Sequence, residues 1–112
     1  MVHIKIGETL YPATVNGRMT DTDWDRRASK AITVEMDYAT ASALFVDGLA
    51  WSIVMESTTE IDGETVTQTE EFDNSDYCVA GAITDNRDGT MTAKMGKLTE
   101  LEEAYEILFG GI

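Results

Sequence analysis

Two short runs constrain this chain more than any other feature. In "KAITVEMD" the apolar Ile32, Val34 and Met36 alternate with Thr33 and Glu35, and in "TMTAKMG" Met91, Ala93 and Met95 alternate with Thr92 and Lys94. A period of two is the signature of a strand with one buried and one solvated face, and a helix cannot bury such a pattern. Further strands follow on turn signals. "VHIKI" and "TLYPATV" flank Gly7-Glu8, "AWSIVMES" and "TVTQTEEF" flank Asp62-Gly63, and "YCVAGAITD" leads through "NRDG" into the Met91 run. Asp-Gly favours a tight hairpin because both residues tolerate positive φ.

Two interruptions carry meaning. Pro12 has no N–H to donate to a ladder, so its strand is expected to lie at an edge or to bend there, and Gly81 marks a bend in a later strand. Residues 16 to 29 read as a polar connection.

Helical signals occur twice. Asp37 can cap "YATASALFVD", ended by Gly48. Near the end, Leu101, Ala104, Tyr105 and Leu108 form a stripe at helical spacing, Thr99 and Glu102 have the spacing of a capping box, and Gly110 and Gly111 stop the segment. The expected fold is therefore α+β and mainly antiparallel β. It has about seven strands in a small barrel or sandwich, with a short internal helix and a C-terminal helix whose stripe covers the barrel. With 112 residues and no linker-like stretch, the whole chain, 1 to 112, is expected to form a single domain.

The charge balance bears on partners. Twenty-one acidic against eight basic side chains give a net charge of −13. Such a chain repels phosphate backbones and anionic membranes and is steered toward basic protein surfaces, so protein partners, including further copies of itself, are expected and direct nucleic-acid or membrane binding is not. From Glu56 to Asp76 there are eight acids and no base. This is either a solvated face, an acidic docking surface or an imitation of a phosphate backbone. A single cysteine, Cys78, and an N-terminus without a long apolar run fit a reducing, cytoplasmic setting.

No constellation spells out chemistry. Asp21, Asp23 and Asp25 invite a calcium reading, but an EF-hand loop starting at Asp21 needs glycine at Arg26 and glutamate at Ile32. "NRDG" reads as a turn. His3 has no second histidine to complete a metal set, and Cys78 has no base positioned by the sequence. The expectation is a non-enzyme without metal or cofactor. The loop "TDTDWDRR", residues 20 to 27, holds Trp24 with Arg26 and Arg27. Trp24 in this loop is either a lid folded down onto the core, the commoner case, or an exposed anchor; together with Arg18 and Lys30 the loop forms the one concentration of positive charge, so Trp24, Arg26 and Arg27 are the first candidate partner contacts. Ile107 and Phe109, on the flank of the C-terminal helix, are the second. If copies assemble, the basic cluster of one can meet the acidic face of the next, head to tail.

The stretch "WDRRASKAITVEMDYATASALFVDGLAWSIV", residues 24 to 54, resembles small uncharacterised proteins encoded by phages and prophages of Gram-positive bacteria, in the neighbourhood of tail and baseplate genes. The resemblance rests on the Trp-Asp-Arg loop, the strand after it, the alanine-rich helix ending "LFVDG" and the following tryptophan strand. It implies a structural or adaptor protein, made in the bacterial cytoplasm and incorporated into a virion, in which small β-barrels join into rings. The competing expectation is an acidic inhibitor that occupies the nucleic-acid groove of a host enzyme.

Overall fold

A computed structural model describes residues 2 to 105, 107 and 108. The elements run β1 (Val2–Ile6), β2 (Thr9–Asp21), β3 (Arg27–Glu35), α1 (Tyr38–Leu44), β4 (Ser52–Ile61), β5 (Glu64–Asp73), β6 (Val79–Asp85), β7 (Thr90–Gly96) and α2 (Glu100–Tyr105). All pairings are antiparallel, and the seven strands form one sheet in the order β5-β4-β1-β2-β3-β7-β6. The chain is thus α+β and mainly antiparallel, as its patterning predicts.

The sheet does not close into a barrel, and its seven strands form one sheet and not the two of a sandwich, which corrects the expected arrangement within the α+β class. Its ends, β5 and β6, do not pair with each other. One reason lies at β6, where the loop after α1 takes the edge groups: the Gly48 N–H donates to the Cys78 carbonyl at 2.8 Å, and Asp47 accepts from the Ala80 N–H at 2.7 Å.

β2 joins the two halves of the sheet. Its first residues pair with β1 as far as His3 opposite Pro12, and its ladder to β3 begins at Ala13 opposite Val34. Ladder bonds alternate sides, and counting from the Gly7-Glu8 turn the Pro12 nitrogen points away from β1. The missing donor therefore falls where the β3 ladder has not yet started. β2 continues to Asp21 and β3 begins at Arg27, so the expected polar connection of residues 16 to 29 shrinks to residues 22 to 26. Asn16, Gly17 and Arg18 are strand residues opposite Ala31, Lys30 and Ser29. Strand pairing overrides their weak β propensity.

The core lies on one face of the sheet. Ile4 of β1, Ile32 and Val34 of β3, and Met91, Ala93 and Met95 of β7 are buried beneath α1, whose Ala41 and the following Phe45 point inward, and beneath Trp51. Trp51 is 2% exposed, and its indole N–H donates to the Tyr77 carbonyl at 3.0 Å, so its one polar atom is satisfied. Asp37 caps α1 as expected, accepting from the Thr40 N–H at 2.7 Å. The helix stops at Leu44, a turn before Gly48, because Phe45 leaves helical geometry to enter the core.

The C-terminal helix also departs from expectation. The Thr99–Glu102 capping box is formed in both directions, at 2.9 and 3.2 Å. Its apolar stripe, however, does not cover the sheet: Leu101 is 80%, Tyr105 64% and Leu108 63% exposed. A charge, Glu102, ties α2 to the body through Arg27, and Leu101 does not.

The molecule measures 58 × 33 × 27 Å with a radius of gyration of 16.3 Å, against about 13 Å for a compact domain of this length. Much of the excess is an arm. Among the described residues β1 pairs with β4 only from Ser52 to Met55, whereas β4 and β5 pair along their whole length. Residues 56 to 69 therefore leave the body as a two-stranded ribbon, turned at Asp62 (φ 53°) and Gly63 (φ 79°) as the Asp-Gly signal requires. Truncating Trp51 to alanine is expected to cost about 3–5 kcal/mol in chemical denaturation, while Val66→Ala on the arm costs under about 1 kcal/mol. Equal losses would contradict the division into body and arm.

Candidate functional site

The Asp21–Arg27 loop folds down on the face of the sheet opposite the core. A register shift between Arg18 and Asp21 decides this. Without it, Asp21 would lie on the core face; the bulge re-aims its side chain to the side of Ser29 and Lys94. Asp21 is fully buried there, accepting from Ser29 Oγ at 2.9 Å, from Lys94 Nζ at 2.9 Å and from the Asp23 N–H at 3.1 Å. Its own carbonyl accepts from the Trp24 and Arg26 N–H groups, closing the turn. The Lys94 ammonium and the Ser29 hydroxyl hold its carboxyl well below the usual range, at about 2.

That turn seats Trp24 and Arg27. The guanidinium of Arg27 stacks on the Trp24 ring with 4.7 Å to its centroid, and donates to both carboxylate oxygens of Glu102 and to the Lys97 carbonyl. The pair occupies a shallow bed left by two glycines. A Cβ on Gly81 would stand 2.7 Å from the Trp24 ring, and one on Gly96 would stand 2.7 Å from Arg27 Cδ. Gly81 sits in a register shift of β6, the bend expected from sequence, and both glycines are required by this contact.

The predicted contact residues therefore separate. Trp24 is half-buried as a lid, and Arg27 is buried and internally paired, so neither stands free on the surface. Arg26 is exposed at φ 59° and, among the described residues, has no ion-pair partner. Ile107 is 76% exposed; Phe109 lies outside the described residues. The other cations of the expected basic cluster are engaged as well. Arg18 lies near Asp21 and Asp23, and Lys30 bonds Asn74 and sits over the Tyr77 ring, which Lys97 also faces. The three aspartates do not converge on a cation: Asp21 turns inward, while Asp23 and Asp25 point to Arg18 and Arg27.

The arm is the second candidate. Counting outward from the Asp62-Gly63 turn, β4 residues 53, 55, 57, 59 and 61 share a face with β5 residues 64, 66, 68, 70 and 72. On that one face lie Met55, Ile61, Val66 and Phe72, all 37% to 55% exposed. Ile53, opposite Ile4, begins the same face inside the core, so the core surface runs on into solvent. The large apolar and acidic positions of β4 and β5 thus sort by parity: apolar groups with Glu64 and Glu70 on one side, Glu56, Glu60, Glu71 and Asp73 on the other. Sequence reading finds the acids but misses the apolar face, which appears only when the two runs are folded about Asp62-Gly63.

Comparison with protein-family models, with curated proteins and with solved structures gave no match. No helix among the described residues is long and apolar enough to cross a membrane.

Two measurements test the loop. Gly96→Val is expected to displace the Trp24 indole NMR signal and cost about 1–3 kcal/mol, whereas Gly17→Ala, whose Cβ has 3.9 Å of room, changes stability by under about 0.5 kcal/mol. Because folding lowers the Asp21 pKa, the unfolded chain takes up its proton first. The stability this group contributes is full above 3.8 and is lost as pH falls toward about 2. Asp21→Asn should flatten that segment of the stability–pH curve; an unchanged curve would remove Asp21 from its role.

Proposed function

We propose that this chain is a non-enzymatic structural or adaptor protein of phage or prophage origin that works through protein contacts in tail or baseplate assembly. The phage setting rests on the resemblance of residues 24 to 54. The observation that supports a contact role is the arm. A two-stranded ribbon standing alone is marginally stable in water, and here it presents an apolar face, a solvated acidic face and an open edge at once. A segment that buries so little of itself is explained by what it meets.

Within this reading the arm replaces the Trp24 loop as the principal contact. Arg27 and Trp24 act inside the molecule, and Arg26 remains as a rim charge. The head-to-tail contact between copies loses most of its attraction, because the cations it needs are already paired. The nucleic-acid mimic is the weaker reading: Glu56 and Glu60, on one face of one strand, stand about 13 Å apart, far sparser than a phosphate backbone with one charge per about 3.4 Å of strand.

The test replaces residues 56 to 69 by a two-residue turn and compares truncated and full-length chains. Full-length protein is expected to retain a protein partner from lysates of its producing cells, and truncation to abolish retention while thermal unfolding of the body stays cooperative. Retention unaffected by truncation would overturn the arm's role. Retention of nucleic-acid enzymes alone would favour the mimic.

A further inference from the structure

The outer edge of β5, at one end of the sheet, is a row of hydrogen-bonding groups with no strand beside it among the described residues. The Asn74 N–H donates to the Trp51 carbonyl at 2.8 Å. This bond extends the β4–β5 register by one pair and fixes its parity: even residues of β5 bond to β4. The N–H and C=O groups of Thr65, Thr67, Thr69, Glu71 and Asp73 therefore point outward. Backbone groups of this kind are obligatory donors and acceptors and form a template for another strand. Two common devices that blunt such an edge are absent from β5. It has no proline, and its register runs without a shift from Asp73 opposite Ser52 to Glu64 opposite Ile61.

Charge selects the occupant. A second copy adding through β5 would set acids against acids, with both chains at −13. The other edge of a second copy, β6, is engaged near its start by Gly48 and Asp47 of its own chain. A cationic strand meets neither obstacle. Its residues opposite Val66, Gln68, Glu70 and Phe72 extend the apolar face, and those opposite Thr67, Thr69, Glu71 and Asp73 extend the acidic one. Of these acids, Glu71 already has Lys5 at 3.4 Å and Asp73 accepts from Ser75.

We infer that the outer edge of β5 accepts, by strand addition, an extended segment of a partner protein in which apolar residues alternate with lysine or arginine. The inference rests on the protein-contact reading above and names that partner's chemistry. Backbone bonds supply the affinity, and alternation of side chains supplies the selection.

The test titrates full-length, 15N-labelled protein with a capped nine-residue peptide of alternating valine and lysine, and with the same peptide carrying proline for each valine. The expected result is slowed hydrogen exchange at the Thr65, Thr67, Thr69, Glu71 and Asp73 amides. The proline peptide, equal in charge, should bind at least about tenfold more weakly. Thr67→Pro removes an outward donor and keeps the β4 ladder, and is expected to weaken binding to a similar degree; where it disturbs the Ile61 and Val66 signals, Glu60→Lys serves instead and weakens binding through charge. Equal binding of the two peptides, or binding without protection of those five amides, would overturn strand addition. If the peptide fails while truncation of the arm still abolishes partner retention, the contact reading stands and this inference falls. If truncation also has no effect, both fall.

Discussion

A buried carboxylate organises the half of the molecule that carries the Trp-Asp-Arg loop. Asp21 has no access to water, and an ion so placed is tolerated only when its lone pairs are met. Lys94, Ser29 and the Asp23 amide meet them, and in doing so they join the end of β2 to β3 and β7. The turn that follows is held by the Asp21 carbonyl, which sets Trp24 over Gly81 and Gly96 and brings Arg27 to Glu102. In this way α2, whose Leu101 is largely exposed, is fastened to the sheet by a bidentate ion pair.

The opposite half of the sheet follows a different logic. β4 is rooted by Trp51, Val54 and its ladder to β1, and beyond Met55 its strand partner among the described residues is β5. The ribbon is held by its tight turn, by β-branched residues such as Thr58, Thr59, Thr65, Val66 and Thr67, and by cross-strand pairs such as Thr59 with Val66. A body fixed by a buried core and an arm that leaves apolar groups in water form a division of labour. The first supplies rigidity, and the second supplies surface that gains by being covered.

Much of this was legible in the residues. Period-two alternation and the turn signals at Gly7, Asp62-Gly63 and "NRDG" predict the seven strands and their hairpins, because turn chemistry and face burial act within a few residues. Asp37 and the Thr99–Glu102 box predict the helix starts for the same reason. Less legible was the length of β2, whose polar end is strand only because β3 lies beside it. Arg27 reads as a surface cation, and its burial depends on Glu102, 75 residues away. The apolar face of the arm is scattered in sequence and assembles only in register.

The sequence alone thus determined which segments are strands and helices, where hairpins turn, and that the chain is strongly acidic, since these follow from local sterics, periodicity and composition. Tertiary structure decided that the sheet stays open, that a bulge sends Asp21 to the face away from the core, that Trp24 and Arg27 close inward, and that β5 is left with a free edge. Each of these depends on which strand lies beside which, and that is set by contacts between residues far apart in the chain.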